Sequence, residues 1–415
     1  MERTILVSAL TVATCAVAAL AAEPPSAGAG GVLIDGEIPA GNIIVESVKG
    51  DTVRLRQDLR DSPEWFYWGF RVRGAEGRKL RFQFTGRPAP VGPCGPAVTK
   101  DGGKTWSFAA RASSSPNGFT YSFGPDDHEV WFYQTFQYLL PDWDAFLARH
   151  EADRGRLFAT GELCKSRKGR SVPSARFGRL DGKAKYRVFL SSRHHCGEVT
   201  GTLVLEGFVE QVFAEGPLGD WLRENVEILA VPFVDYDGAV DGDQGKNRSP
   251  HDHNRDYNDF IFPETRAIVD WIKTYVDNDL AVFLDLHSPW IRGEDNEKAY
   301  ITYGWGEKAN AAKRRWSELL EKAQTGSMAY RASDNMPWNF KWNGPSNVAT
   351  GHRTSVGWAF ATLKGPYLVA TYEVPFAKAN GKTVTPEACR ELGAASAQTL
   401  HDFLAENPPR IPHEL

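Results

Sequence analysis

Cysteine is scarce in this sequence, and its few copies lie far apart. Only five of the 415 residues are cysteines: Cys15 near the N-terminus, then Cys94, Cys164, Cys196 and Cys389. The last four could form disulfides, but four cysteines allow three pairings and the spacing selects none of them. Such wide spacing excludes a small scaffold held together by disulfides. A chain of this length can instead bury two sizeable cores.

A strong excess of charge of either sign is also missing. The formal net charge is −4, from 48 basic and 52 acidic residues that are interspersed along the chain. No run of basic residues occurs, which argues against a protein that binds nucleic acid. The sequence also has no internal repeat.

Long apolar runs are missing too, apart from one at the N-terminus. The run Ile5–Leu20 follows a short charged start and ends among small residues, Ala19 and Ala21. This pattern predicts a secretory signal peptide over residues 1–21, and therefore an exported protein, periplasmic or extracellular. A transmembrane anchor is the alternative, although the run is slightly short for one. No later segment could cross a membrane, so we expect no stable membrane span after cleavage.

What the first third of the chain does contain is a series of short segments that alternate between apolar and polar residues. The clearest are FYWGFRVRG, KLRFQFTG and NGFTYSFGPDDHEVWFYQTF. They are separated by Gly, Asn and Asp, which are turn residues. We therefore expect an antiparallel β-sandwich domain over residues 32–136.

The pattern changes at about residue 137. Four segments are nearly continuous apolar runs, as in buried strands: YRVFLSS, VEILAVPFV, LAVFLDLHS and YLVATYEVP. Helical patterns alternate with them, among them PETRAIVDWIKTYV, in which Pro263 suits the first turn. The alternation predicts an α/β domain over residues 137–408, with a mixed, mostly parallel sheet flanked by helices.

Potentially reactive side chains follow three of the predicted strands. The first strand runs into SSRHHCGEVTG, the second ends at His287, and the third ends at Glu373. Ligands bind at strand ends in open α/β sheets. Two histidines and one glutamate suffice for a catalytic zinc site, and a further carboxylate can act as general base. Both His194 and His195 lie at a spacing from Glu198 that places two side chains on one face of a turn.

A long polar loop follows the second buried strand, with the sequence VDYDGAVDGDQGKNRSPHDHNRDYNDF. Its length points to function rather than packing. It contains Arg248 and the pair Asn254 and Arg255, and a guanidinium beside an amide suits the capture of a carboxylate. A calcium loop or a plain solvated surface is the alternative interpretation.

Together these motifs resemble the zinc metallocarboxypeptidases (peptidase family M14). HCGE, DHNR, LDLHS and YE at a strand end occur in the order of that family. The aromatic segments before residue 137, with DGGKTW and FQYLLPDWDAFLARH, resemble the β-sandwich of its cytosolic-carboxypeptidase branch. The resemblance implies a peptidase that removes C-terminal residues from peptides or proteins, with one Zn²⁺ per chain.

The same resemblance implies roles for individual residues. His195, Glu198 and His287 would be the zinc ligands, which selects His195 over His194. Glu373 would be the general base that deprotonates the metal-activated water, and Arg248 would polarise the scissile carbonyl. Asp252 would accept a hydrogen bond from a ligand histidine, and Asn254 and Arg255 would bind the terminal carboxylate of the substrate.

The chain departs from the family pattern at three places. Cys196 stands where a proline is usual, and a thiol there could compete for zinc, oxidise or simply pack. Arg248 lies closer to Arg255 than in the cytosolic branch, which leaves Lys246 as an alternative. The usual substrate-contacting tyrosine is missing, and its possible substitutes are His352, Arg353 and Trp358.

Two other classes of function remain open from the sequence. One is a zinc amidohydrolase on the same fold, such as a deacylase of small N-acyl amino acids or a hydrolase of cell-wall peptides. The other is a binding protein without catalytic activity. The pair Asn254 and Arg255 favours a peptide substrate and so argues against the amidohydrolase. Glu373 argues against the non-catalytic binding protein, because a protein that only binds has no need of a base.

Overall fold

A computed structural model describes residues 31–63, 65–86, 88–109, 114–304, 306–347 and 351–412. The predicted signal peptide lies outside these residues. Within them, no helix is both long and apolar enough to span a bilayer.

The N-terminal region is built from two five-stranded sheets. Its strands are β1 (Leu33–Asp35), β2 (Ile44–Lys49), β3 (Thr52–Arg56), β4 (Gly69–Arg73), β5 (Lys79–Phe84), β6 (Ala97–Thr99), β7 (Ser107–Phe108), β8 (Ser114–Ser115), β9 (Gly118–Ser122) and β10 (Glu129–Tyr133). The strand orders are β1-β4-β10-β6-β7 and β2-β3-β5-β9-β8. Alternating residues of both sheets form one apolar core, in which the rings of Phe70 and Phe82 are 5.4 Å apart. The predicted sandwich is therefore present, but β3 and β5 pair in parallel rather than antiparallel.

The remaining chain alternates between helices and strands. In chain order the elements are α1 (Leu140–Arg149), β11 (Phe158–Lys165), β12 (Ser171–Gly178), β13 (Tyr186–Ser192), α2 (Thr200–Glu210), α3 (Pro217–Asn225), β14 (Val226–Val231), α4 (Tyr236–Asp241), α5 (Pro263–Val276), β15 (Val282–His287), β16 (Tyr300–Ile301), α6 (Glu307–Ala323), α7 (Ser355–Thr362), β17 (Leu368–Glu373), β18 (Lys378–Ala379), β19 (Lys382–Thr383) and α8 (Pro386–Ala405). The segment with Pro263 at its start forms the predicted helix over its whole length, with the proline in the first turn, where its missing N–H costs nothing.

A seven-stranded mixed sheet forms the centre of this region, in the order β11-β12-β14-β13-β15-β17-β16. The strands β14, β13, β15 and β17 are parallel, and they are the four apolar segments of the sequence. The edge strands pair antiparallel. Alternate side chains of the central strands pack against α2, α6 and α8 on one face of the sheet and against α5 and α7 on the other face. The fold class predicted from the sequence is thus confirmed, with the parallel pairing restricted to the centre.

The sandwich and the α/β region share direct contacts. The side-chain amide of Asn42 donates to the Gly242 carbonyl at 2.7 Å, and the Thr135 hydroxyl donates to the Phe376 carbonyl at 3.0 Å. Phe66 packs edge-on against Phe376, with ring centroids 5.5 Å apart. These contacts bring residues of the sandwich to the carboxyl ends of the central strands.

Candidate active site

Strand register brings the predicted residues to one edge of the sheet. His287 and Glu373 are Cα partners at the ends of β15 and β17, and the neighbouring strand β13 ends just before the segment that holds His195. Helix α2 begins two residues after Glu198, at Thr200. The Thr200 hydroxyl donates to the Val374 carbonyl at 2.8 Å, which ties the start of this helix to the end of β17.

His195, Glu198 and His287 form one buried cluster whose possible ligand atoms lie within 4.8 Å of one another. Nδ1 of His195 is 2.7 Å from Glu198 Oε1, and Nδ1 of His287 is 2.8 Å from Glu198 Oε2. Burial acts to raise the pKa of Glu198, but the two facing imidazoles outweigh it and lower the pKa to about 2. Two imidazole nitrogens that converge on an ionised carboxylate fit a zinc ion with an open fourth position.

Carboxylates behind the two histidines orient their rings. Nε2 of His287 is 3.0 Å from Asp285 Oδ2, and Nε2 of His195 is 3.5 Å from Asp252 Oδ1. A carboxylate on the far nitrogen keeps the proton there and leaves Nδ1 free to bind a metal. Asp252 is therefore close to His195, but neither Oδ1 nor the facing Nε2 has a hydrogen-bond partner among the described residues. Asp285 was missed because it sits inside an apolar strand, two residues before His287.

His194, the other histidine of the pair, is held elsewhere. Its Nδ1 is 2.8 Å from Asp285 Oδ1, and its Nε2 is 2.7 Å from the Tyr257 hydroxyl. Both ring nitrogens are therefore in hydrogen bonds with protein groups, and the ring is fully buried. His194 and His287 could also share an ion with Asp285, but only at the expense of these bonds.

A cavity of about 370 Å³ opens in front of the cluster. Glu373 lines it together with His195 and His287. Oε2 of Glu373 is buried and has no hydrogen-bond partner among the described residues. Burial, reinforced by the Glu198 carboxylate and opposed by His287 and Lys246, raises the pKa of Glu373 to about 8. This carboxylate is thus close to the cluster and free to exchange a proton.

Arg248 is not among the residues that line this cavity. Its guanidinium lies 2.5 Å from Asp235 Oδ2 and 3.1 Å from Asp243 Oδ2, and it also contacts Asp61 of the sandwich at 3.2 Å. The prediction of Arg248 as the group that polarises the carbonyl therefore does not fit this geometry, because its charge is already matched by three carboxylates. Lys246, the alternative, does line the cavity. The pKa of Lys246 is lowered, mainly because burial removes solvent from its ammonium and secondly because the positive charge of Arg255 is close.

Asn254 and Arg255 lie on the cavity wall, in a single 3₁₀ turn. The Arg255 guanidinium donates to the Asn254 carbonyl at 3.0 Å and to the Asn347 carbonyl at 2.6 Å. The Asn254 side-chain oxygen accepts from the Ser355 amide at 3.0 Å. Two segments distant in sequence therefore hold this amide and guanidinium in place beside the cluster.

The rest of the cavity wall is strongly aromatic, which the sequence did not predict. Its aromatic residues are Trp65, Phe66, Trp290, Trp338 and Trp342. Trp65 and Phe66 belong to the sandwich region, and the Trp65 ring packs 4.9 Å from that of Trp290. No periodicity or motif marks these positions, since they meet only through contacts between the two regions.

The three possible substitutes for the family tyrosine lie outside the cavity lining. Trp358 is buried between α7 and the sheet, where its ring is 6.4 Å from that of Phe283. Arg353 is exposed, and its backbone amide donates to the side-chain oxygen of Asn258. His352 contacts Asp259 instead.

Cys196 packs beneath the site and is not part of the cluster of His195, Glu198 and His287. Its Sγ is 3.1 Å from the Asp243 carbonyl, and burial raises the pKa of the thiol well above its usual range. A Cβ at Gly238 would lie 2.4 Å from this sulfur, so the surrounding backbone fits closely around the thiol. Cys164, Cys196 and Cys389 are free thiols.

Comparison with known proteins gives one family match. The sequence model described as zinc carboxypeptidase matches residues 143–393, more than half of the chain. Cytosolic carboxypeptidase 2 of Danio rerio is 27% identical over 266 residues, which are 60% of this chain and 35% of that protein. Cytosolic carboxypeptidase 1 of Homo sapiens is 26% identical over 152 residues, or 34% of this chain and 12% of that protein. The chain thus spans about a third, or less, of the length of these relatives.

Several solved structures resemble the chain over nearly its whole length. A metallo-carboxypeptidase from Burkholderia cenocepacia has a TM-score of 0.71 at 20% identity, covering 91% of this chain and 100% of that one. A metallo-carboxypeptidase from Pseudomonas aeruginosa, in complex with (2-guanidinoethylmercapto)succinic acid, has a TM-score of 0.73 at 18% identity, covering 90% and 99%. At these identities the likeness establishes the fold, including the β-rich region that precedes the α/β region.

Proposed function

The chain belongs to the zinc carboxypeptidase family, and on this premise we propose that it hydrolyses the C-terminal peptide bond of peptides or proteins. One observation carries the proposal. A buried cluster of two histidines and a glutamate, a free carboxylate and an amide–guanidinium pair all face the same cavity of about 370 Å³. Such a cavity can hold a peptide end, its scissile bond and its terminal carboxylate at once.

His195, Glu198 and His287 would hold the zinc ion. When bound there, zinc supplies a Lewis acid and lowers the pKa of a water molecule toward neutrality. Asp285 is hydrogen-bonded to the far nitrogen of His287, and Asp252 lies 3.5 Å from the far nitrogen of His195. A carboxylate at that position favours Nδ1 of the ring as the ligand atom.

Glu373 acts as general base and then as general acid. Its free Oε2 accepts a proton from the attacking water and later delivers that proton to the amine of the departing residue. A pKa raised by burial suits both steps, since the carboxyl group can hold the proton between them. A bound divalent cation would lower this pKa again, which favours the ionised base at the start of the reaction.

Lys246 provides positive charge for the carbonyl oxygen. It lines the cavity with Glu373 and Glu198, and it is the cationic residue nearest in sequence to the predicted Arg248. An ammonium held in a cavity with little solvent stabilises a developing oxyanion more strongly than one in water does. Arg248 then has a structural role, in which it forms ion pairs with Asp235, Asp243 and Asp61.

Asn254 and Arg255 bind the free carboxylate at the end of the substrate. A planar guanidinium with an amide beside it gives directed hydrogen bonds to both carboxylate oxygens. This recognition is what restricts the enzyme to the last residue, and it favours a carboxypeptidase over an N-acyl amino acid deacylase. The aromatic wall, to which the sandwich contributes Trp65 and Phe66, offers apolar surface for the rest of a peptide.

A pair of matched peptides tests the proposal. The zinc-loaded protein should release the last residue of a peptide with a free C-terminus and leave the same peptide untouched when its C-terminus is amidated. Mass spectrometry of both digests gives the products directly. Equal cleavage of the two peptides would rule out carboxylate recognition by Arg255, and cleavage of an N-acyl amino acid alone would favour the deacylase.

We also propose that the protein is exported, because residues 1–21 have the sequence pattern of a signal peptide. Expression of the full chain in a bacterial host, followed by N-terminal sequencing of the periplasmic protein, tests this. A mature N-terminus near residue 22 is expected. Recovery of the intact chain from the cytosol contradicts the proposal.

A further inference from the structure

We propose that His251, Asp259 and His352 form a second metal-binding site, which takes a divalent transition-metal ion such as Zn²⁺. The three residues offer ligand atoms within 4.8 Å of one another, and none of them belongs to the cluster of His195, Glu198 and His287. They come from two segments that are distant in sequence: one contains the predicted carboxylate-binding turn, which lies between His251 and Asp259, and the other precedes α7.

The two imidazoles converge on one carboxylate oxygen. Nδ1 of His352 is 2.9 Å from Asp259 Oδ2, and Nδ1 of His251 is 3.9 Å from the same oxygen. The two rings lie with centroids 4.4 Å apart. A distance of 3.9 Å is too long for a hydrogen bond, so His251 points at Asp259 without bonding to it.

The orientation of His251 is fixed from behind. Its Nε2 is 2.8 Å from Asp256 Oδ1. Asp256 is fully buried and accepts hydrogen bonds from the Ile261 amide at 2.8 Å and the Phe262 amide at 2.9 Å. The Thr265 hydroxyl donates to it as well, at 2.5 Å. Three donors stabilise the ionised carboxylate, so Asp256 accepts the Nε2 proton and leaves the lone pair on Nδ1.

That lone pair has no protein partner. His251 is only 7% exposed, and its Nδ1 is buried without a hydrogen bond among the described residues. An unsatisfied buried nitrogen costs free energy, and it is aimed at the position between Asp259 and His352. A carboxylate that holds the far nitrogen of a histidine is the arrangement that commonly accompanies metal-binding histidines.

The donor set selects the kind of ion. Two imidazole nitrogens favour zinc, cobalt, nickel or copper over calcium and magnesium, which prefer oxygen ligands. The side chains of Asp259 and His352 are 38% and 28% exposed. Water can therefore reach the site and complete the coordination, and an ion can enter from solvent.

An ion at this position would join two segments that carry residues of the cavity. Asp256 and Arg353 form an isolated parallel bridge, and the Asn258 side chain donates to the Gly351 carbonyl at 2.7 Å. Asn254 and Arg255 lie between the two ligands of the first segment, His251 and Asp259, and Thr354, which also lines the cavity, lies two residues after His352. The ion would thus brace the wall that we assign to the substrate carboxylate.

Zinc stoichiometry of the full chain tests the proposal. After equilibrium dialysis against micromolar Zn²⁺ and elemental analysis, the wild type should hold two ions per chain. His352→Asn and His195→Ala should each hold one, and the double variant none. His128→Asn is the matched control, because His128 is another histidine paired with a carboxylate, Glu76 at 2.9 Å, but on the sandwich surface.

Two further measurements keep folding and catalysis separate from binding. In the His195→Ala background, added Zn²⁺ should raise the melting temperature, and this rise should vanish with Asp259→Asn. Asp256→Asn should weaken binding of the second ion about 10- to 100-fold. One ion per chain in the wild type, or an unchanged zinc content in His352→Asn, overturns the second site. Neither outcome bears on the proposed peptidase, which is tested by the free and amidated peptides.

Discussion

His287 and Glu373 face each other as Cα partners at the last residues of two adjacent parallel strands. One residue is a proposed zinc ligand and the other is the proposed base. Because both are fixed by the same ladder of backbone hydrogen bonds, their separation does not depend on loops. A slip of one residue in this register would turn one of the two side chains to the opposite face of the sheet.

Glu373→Gln should slow turnover strongly while the metal site stays intact. The amide keeps the size of the side chain but cannot carry the proton, so we expect kcat to fall by about 10²- to 10⁴-fold. Zinc content and peptide binding should be unchanged, as measured by elemental analysis and calorimetry. Glu307→Gln, at an exposed glutamate of α6, is the control. A Glu373→Gln protein with full activity would remove this residue from the mechanism.

Substitution of Lys246 and Arg248 should have different effects. Lys246→Met should lower kcat by about 10²- to 10³-fold, because it removes charge that stabilises the oxyanion, with little change in stability. Arg248→Met should instead destabilise the fold by about 3–5 kcal/mol, because it leaves the buried Asp235 without its cation. Kinetics and urea unfolding of both variants separate the two roles. Catalytic loss in Arg248→Met at unchanged stability would restore the original prediction.

The sequence predicted the backbone of this site better than its side-chain contacts. The four apolar strands and the helix from Pro263 follow from periodicity and turn residues, so they could be found locally. The hairpin of β11 and β12 was missed because its strands mix exposed and buried residues and one contains Pro173. The register of His195 came from family resemblance, since spacing to Glu198 fits His194 equally well.

Other parts of the site depend on contacts between distant segments. Arg248 and Lys246 lie two residues apart, and nothing local indicates which of them faces the cavity. The choice is made by Asp61 of the sandwich and by Asp235, which bind Arg248 from two other parts of the chain. The aromatic wall has the same origin, because Trp65 and Trp290 are brought together by the packing of the two regions.

Cys196→Ala should leave zinc binding unchanged. The sulfur packs against Gly238 and contacts the Asp243 carbonyl, with no place in the cluster of His195 and its partners. Loss of a buried thiol leaves a small void, for which we expect a destabilisation of about 1–2 kcal/mol. Elemental analysis and urea unfolding test both statements. A halved zinc content would identify the thiol as a ligand.

Lys313 should make the stability of the fold depend on pH in the alkaline range. Burial lowers the pKa of its amine to about 7, from 10.5 in an unfolded chain. Between these values the unfolded state binds the proton more strongly than the folded state does, so stability rises with pH from about 7 to 10.5. Below about pH 7 both states carry the proton, and this contribution becomes constant.

Comparison of the wild type with Lys313→Met isolates this effect. Urea unfolding at pH 7, 8 and 9 should show the wild type gaining up to about 1.4 kcal/mol per pH unit relative to the variant. Other titrating groups cancel in the difference. Parallel stability profiles for the two proteins would show that the Lys313 amine keeps its ordinary pKa in the fold.

Trp65→Ala should weaken binding of longer peptides without slowing the chemical step. Trp65 reaches the cavity from the sandwich and packs against Trp290, away from the groups that handle protons and charge. Loss of one aromatic contact surface should weaken the binding free energy of the peptide by about 1–1.5 kcal/mol. This corresponds to roughly a tenfold rise in KM, with kcat little changed.

Trp106→Ala is the matched control, because Trp106 is a sandwich tryptophan that packs on Tyr133 and does not line the cavity. Its KM should equal that of the wild type. A dipeptide substrate, which is too short to cover the wall, should show a smaller effect of Trp65→Ala than a hexapeptide does. If the KM values of Trp65→Ala and Trp106→Ala equal those of the wild type for both substrates, the sandwich supports the fold but does not contact the substrate. A selective effect on the hexapeptide assigns the sandwich a direct part in substrate binding.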